Sequence, residues 1–207
     1  MIDTAFLITA FVTMFVVIDP IGLAPLFVAM TAGMDRRKRL GIALRACGIG
    51  MALLVLFALA GEAILTFIGI SMPAFRIAGG ILLFITALDM LFERRTKRRE
   101  DQAEDDDLSD DPSVFPLAIP LIAGPGAIAS IILLTGQNPG WLGLGLTLAV
   151  TGAVMLLVLA LFLASGLIER ALGKTGITVI TRLLGMLLAA LSVQFVLDGL
   201  RNFGLMP

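Results

Sequence analysis

Two long apolar runs of this chain are each broken in the middle by proline and glycine. The breaks are Asp19-Pro20-Ile21-Gly22 and Gly124-Pro125-Gly126-Ala127, with Pro20 and Pro125 105 residues apart. In water such punctuation marks a turn. A bilayer offers no solvent to the peptide groups that a proline releases, so a broken helix persists there only where it packs inside protein or lines a cavity. Breaks in corresponding positions of two halves point to a substrate site.

The runs demand a membrane. Of 207 residues 58% are hydrophobic, the mean hydropathy is +1.03, and six apolar segments emerge at 4–30, 42–68, 76–92, 114–136, 141–168 and 182–203. Each is long enough to cross a roughly 30 Å hydrocarbon layer. The fold class this predicts is all-α: a polytopic membrane protein of six transmembrane helices, in two three-helix halves (1–92 and 114–207) joined by a charged linker (93–113). The N-terminus has no basic region before its apolar run and no small-residue cleavage pattern, so residues 4–30 read as a retained first span. Charges cluster at 36–45, 93–111 and 169–182, which makes the net charge of -1 uninformative about partners; nothing suggests nucleic acid. There is no His, no Tyr and one cysteine, Cys47. An intrachain disulfide is excluded, and a His- or Cys-based metal site is not expected. No cofactor is expected either.

Lysine and arginine set the orientation. Loops 31–45, 93–113 and 169–182 hold almost all of them, and the alternate loops hold little beyond Arg76 and Arg201. The basic loops therefore belong in the cytoplasm and both termini outside. Within the linker, Arg94, Arg95, Lys97, Arg98 and Arg99 give way to Asp101, Glu104, Asp105, Asp106, Asp107, Asp110 and Asp111. That pattern reads as a flexible connection whose basic end lies at anionic headgroups.

A repeat runs through the halves. Arg76-Ile77-Ala78-Gly79-Gly80-Ile81-Leu82-Leu83 matches Arg182-Leu183-Leu184-Gly185-Met186-Leu187-Leu188-Ala189 at an offset of 106. Gly69-Ile70-Ser71 and Gly176-Ile177-Thr178 precede the two arginines with one residue of slippage, and the prolines match at nearly the same offset. Three spans per copy force the second copy to enter from the opposite face, the plan of an inverted repeat with discontinuous helices 1 and 4.

The breaks follow helix grammar. Asp19 suits an N-cap and Pro20 the first helical position, so a half-helix starts in mid-span and runs to about Thr31. Pro20 cannot donate to Val16, nor Pro25 to Ile21, nor Pro120 and Pro125 to Pro116 and Leu121. Positive helix ends beside unpaired carbonyls match the carboxylate and ammonium of a free amino acid. Gly22, Ala24, Ala123, Gly126 and Ala127 leave room for a small ligand, or equally for close helix packing. The candidate substrate-binding residues are thus Asp19, Pro20, Ile21, Gly22, Gly124, Pro125, Gly126 and Ala127, with Thr86 and Ser192 at equivalent positions of the third and sixth spans and Gln194 nearby. The hydroxyls equally suit bonding back to their own helices. Asp19 is open to three roles: proton-coupling carboxylate, partner of a substrate amine, or cap. Arg76 and Arg182 read as snorkelling or loop-holding groups at opposite faces.

Asp19-Pro20-Ile21-Gly22 with Pro25, and the long string from Pro116 through Pro120 and Gly124-Pro125-Gly126-Ala127 to Ile128, resemble the MarC family, a likeness that extends over essentially the whole chain. The resemblance implies a six-span protein of a prokaryotic inner membrane that carries small neutral amino acids such as glycine and alanine, coupled to protons. Many members look like Asn-Pro where this chain has Asp19-Pro20; an acid titrates and an amide does not.

An enzyme is not expected, since serine chemistry lacks its histidine and an intramembrane aspartyl site needs two facing acids. A channel or a non-transporting accessory protein is the alternative to a carrier. Oligomeric state is not legible.

Overall fold

A computed structural model describes residues 4–94 and 111–204. Among these all regular structure is helical: α1 (Thr4–Ile18), α2 (Pro20–Met30), α3 (Arg36–Ile68), α4 (Met72–Leu91), α5 (Ser113–Ile122), α6 (Pro125–Gln137), α7 (Trp141–Leu163) and α8 (Ser165–Asn202). Five stretches are long and apolar enough to cross a membrane, namely 4–30, α3, α4, α7 and 175–202, and the bent pair α5–α6 makes a sixth. Residues 95–110 of the linker lie outside the described residues.

Local chemistry sets the ends. Asp35 caps α3, its carboxylate accepting the Lys38 N–H at 2.9 Å. Gly69 ends that helix in the left-handed region (φ 83°), where the Ile70 N–H reaches back to the Leu65 carbonyl at 2.8 Å and satisfies one of the terminal acceptors. At 33 residues α3 is about 50 Å long, well beyond the hydrocarbon thickness. The basic residues 36–45, expected as loop, are therefore helical: the helix continues past the span. The sixth span differs in a related way, because 169–182, expected as loop, is helical on either side of a break at Gly173 (φ 59°, ψ 176°). Arg182 consequently sits inside a helix, where it pairs with Glu93 at the end of α4. Arg76 is buried in the first turns of α4.

Packing runs between the halves. α4 lies along α8; α3 touches α5, α6 and α7; α1 and α2 touch α7 and α8. The seams are drawn tight at glycines. A methyl group on Gly80 would come 2.8 Å from the Ser192 carbonyl oxygen, one on Gly185 would meet Ala87 and Met90, and one on Gly199 would meet Pro73 and Ile77. These three contacts fix α4 and α8 as antiparallel along their length. Burial then identifies the central element. In its most apolar window 56% of the 4–30 span is buried, against 22–39% in α3, α4, α7 and 175–202. The span interrupted at Asp19 is enclosed by protein, which is where interrupted backbone is tolerated.

Candidate functional site

The residue before a proline is pushed out of the α region, and aspartate is among the few side chains that tolerate the left-handed one. Asp19 takes that conformation (φ 56°, ψ 63°). It closes one helix and opens the next. Its N–H bonds the Phe15 carbonyl at 2.9 Å and its carbonyl accepts the Leu23 N–H at 3.0 Å, while its carboxylate accepts the Gly22 N–H at 3.1 Å. Asp19 is fully buried. The carboxylate folds so closely over the chain that a methyl group on Gly22 would lie 2.2 Å from Oδ2. Asp19, Pro20 and Gly22 form one unit: cap, first helical residue, and the space the cap occupies. Ile21, between them, is half-buried.

The second break is built differently. Phe115 (φ -128°, ψ 125°) and Ile119 (φ -127°, ψ 122°), each preceding a proline, are extended. Wide turns result, with Leu117 N–H on the Pro112 carbonyl at 3.3 Å and Ala123 N–H on the Ala118 carbonyl at 2.9 Å. The count of freed carbonyls at Pro116 and Leu121 assumed a regular helix, and the wide turns move those bonds. Instead the Pro120 carbonyl lies over Gly124, 2.4 Å from where a methyl group would be. α6 then restarts at Pro125, bent 54° from α5. Gly124 occupies its N-cap position and no side chain caps it; the first helical bond is Ile128 N–H to the Gly124 carbonyl at 3.0 Å. Pro125 is exposed, whereas Ala127 is buried.

Gly126 joins the breaks. A methyl group there would sit 3.2 Å from Val17 Cγ1, 3.6 Å from Leu83 Cδ2 and 3.7 Å from Thr86 Oγ1. The start of α6, the end of α1 and Thr86 of α4 therefore meet. Ser192 lies elsewhere, on the α4–α8 seam, beside a hollow of about 190 Å³ shared with Ile81, Phe84 and Val196. Both hydroxyls bond back to their own helices, Thr86 to the Leu82 carbonyl at 2.9 Å and Ser192 to the Ala189 carbonyl at 2.7 Å. Gln194 is exposed and donates to Asp198 at 2.8 Å.

Two features escaped sequence reasoning. Thr13 and Ser130 are completely buried and their hydroxyl oxygens have no hydrogen-bond partner; the available signal was a hydroxyl residue in an apolar half-helix within about two turns of each break. On the basic face the Arg39 guanidinium lies 5.6 Å over the Phe27 ring and donates to Ser165 Oγ at 3.2 Å. Phe27 stacks on Phe162 with centroids 4.5 Å apart, which ties α2, α3 and α7 together. Nearby, Asp111 accepts from the Ser113 hydroxyl at 2.6 Å, from the Ser113 N–H at 3.0 Å and from Arg45 at 3.1 Å. The Ser113 hydroxyl, then its N–H, and less strongly Arg45 hold that carboxyl below its ordinary value, with burial opposing them. Among the described residues no group of three or more His, Cys, Asp or Glu side chains gathers to hold a metal ion.

The geometry defines a helical integral membrane protein whose first span is interrupted at a buried acid that caps the following helix. Residues 4–203 match the family model described as MarC family integral membrane protein, and the chain belongs to that family. It is 39% identical over 204 residues to a UPF0056 membrane protein of Methanocaldococcus jannaschii, covering 94% of this chain and 86% of the relative. It is also 34% identical over 200 residues to one from Aquifex aeolicus (94% and 92%). The UPF0056 inner membrane protein YhgN of Escherichia coli K12 is 33% identical over 198 residues (94% and 96%), and that likeness supports an inner-membrane location. No solved structure matches the chain.

Proposed function

We propose that the protein is a secondary transporter of small neutral amino acids, glycine- or alanine-like, coupled to protons, with the substrate held near the midplane between the two breaks. The observation that carries this is the meeting of unlike ends. A buried carboxylate, Asp19, stands at one half-helix N-terminus, and an uncapped N-terminus, that of α6, packs at Gly126 against the end of α1 only two residues before that acid. A helix N-terminus attracts a carboxylate, and a buried carboxylate attracts an ammonium. A zwitterion offers both. In this reading the substrate carboxylate takes the first N–H groups of α6, Gly126 and Ala127, and its ammonium faces Asp19, which releases or accepts the coupled proton.

The antiparallel α4–α8 pair, drawn together at Gly80, Gly185 and Gly199, supports an inverted repeat, since these two helices carry the matching Arg76 and Arg182 motifs at the offset of 106. Alternating access follows if the broken elements move against that pair. The basic loops then face the cytoplasm and both termini the outside.

Reconstitution tests this. Labelled glycine and alanine should exchange in proteoliposomes, saturably and faster with a pH gradient, and Asp19→Asn should abolish the gradient dependence. Absence of exchange for either amino acid would remove the substrate assignment; conductance without saturation would favour a channel.

A further inference from the structure

We propose that Thr13 and Ser130 form a second polar station on the same path, one helical turn outward of the breaks, where their hydroxyls bond the charged ends of the amino acid when α1 and α6 part. This rests on the transport reading given above and extends it to residues on the far side of the Val17–Gly126 contact.

Three observations converge. First, both hydroxyls are fully buried and unpartnered. In an apolar helix a threonine or serine ordinarily returns its hydroxyl to a carbonyl three or four residues back, and Thr31, Thr86, Thr147, Thr151 and Ser192 do so here. Thr13 and Ser130 forgo that bond, as does Thr181 of α8, and of the three only these two stand beside the breaks. Second, their register matches. α6 runs antiparallel to α4, as the Gly126–Leu83 and Gly79–Leu133 contacts show, and with successive spans alternating in direction α4, two spans on from α1, crosses in the same sense as α1. Given the Val17–Gly126 contact, a step of four residues back along α1 and four forward along α6 reaches Thr13 and Ser130. By that register the two residues fall at one depth, one turn from the contact on each helix. Third, the station is within a substrate's reach of the acid, since six residues of helix separate Thr13 from Asp19, a rise of about 9 Å.

A buried hydroxyl without a partner costs stability, and a group of the same shape without it removes that cost. A purely structural seam would therefore be better served by valine and alanine at these positions. This separates the two readings, because stability and transport should move in opposite directions.

The test replaces the hydroxyls by shape, Thr13→Val and Ser130→Ala, singly and together. The thermal midpoint in detergent should be unchanged or raised, while glycine counterflow in proteoliposomes should fall about tenfold in the double variant, mostly through a higher KM. Wild-type counterflow in a stable double variant would overturn the proposal. A second arm does not depend on transport. Thr13→Cys and Ser130→Cys, each in a Cys47→Ala background, are treated with a membrane-impermeant thiol reagent from either face, with and without excess glycine. Modification from the face opposite the basic loops, slowed by glycine, is the expected result. No modification from either face, or modification indifferent to glycine and alanine, would overturn the station even if wild-type protein exchanged both amino acids. If wild-type protein exchanged neither, the transport reading would fail on its own count and the thiol arm would still decide whether the pair binds an amino acid.

Discussion

At the first break the N-terminus of α2 is capped from within, the Asp19 carboxylate accepting the Gly22 N–H, whereas at the second the N-terminus of α6 follows a glycine that brings no side chain. Both breaks place proline at the first helical position, so the backbone problem is the same and the electrostatic solution differs. One end carries its own carboxyl group. The other keeps the partial positive charge of a helix terminus. Each also needs a glycine because an oxygen lies where a methyl group would be, but at Gly22 that oxygen belongs to a side chain and at Gly124 to the main chain. Similar motifs thus end in unlike chemistry.

The glycines give the hardest test of this contrast. Gly124→Ala sets a methyl group 2.4 Å from the Pro120 carbonyl oxygen, which cannot leave without rebuilding the wide turns of α5. We expect a loss of about 3 kcal/mol or more, read as low yield of monodisperse protein and a collapsed thermal midpoint. Gly22→Ala should cost less, about 2 kcal/mol, because the Asp19 carboxylate swings aside at the price of its cap and its burial. Equal loss at both positions would break the distinction between a main-chain and a side-chain obstacle.

Asp19 separates cap from charge. Asp19→Ala deprives the Gly22 N–H of its acceptor and should lower stability by about 1–2 kcal/mol. Asp19→Asn keeps an acceptor oxygen in place, so its thermal midpoint should stay within a degree or two of wild type, about 0.5 kcal/mol. If Asn destabilises as much as Ala, the carboxylate charge and not its geometry holds the first break.

Much of this was legible because lipid leaves few choices. Five of the six apolar runs fall on helices long and apolar enough to span and the other on the bent pair α5–α6, and Asp19 and Pro20 sit at the cap and first helical position that their chemistry suggests. Where helices end in water was less legible: a basic stretch such as 36–45 is equally at home in a loop or a projecting helix, and only the cap at Asp35 decides it. The wide turns at Pro116 and Pro120 were missed because freed carbonyls were counted on a regular helix, although the residue before a proline leaves that geometry. Thr86 and Ser192 were paired by repeat position, yet the structure sets one beside Gly126 and the other on the α4–α8 seam. Equivalent positions in a repeat need not share a site. Thr13 and Ser130 stand out only when burial and hydrogen bonding are known, neither of which is written in residue type.

The smallest expected effect concerns the acid that precedes the second break. Where Asp19 lies at the first break itself, Asp111 lies before α5 on the basic face, held by Ser113 and Arg45. Its carboxyl is depressed in the folded protein, chiefly by the Ser113 hydroxyl. A depressed carboxyl stabilises the fold at pH values above the ordinary aspartate value of about 3.9 and loses that contribution as pH falls through the folded value. The Asp111 side chain is 42% exposed, so screening leaves only a few tenths of a kcal/mol. Asp111→Asn should therefore lower the thermal midpoint slightly near pH 7, and the difference from wild type should shrink as pH falls below the ordinary aspartate value of about 3.9 and vanish once the folded carboxyl is protonated. Added salt should weaken the Arg45 part and spare the Ser113 hydrogen bonds. A difference that persisted at low pH would mean that Asp111 acts through the shape of the turn into α5, and both breaks would then depend on an aspartate for geometry more than for charge.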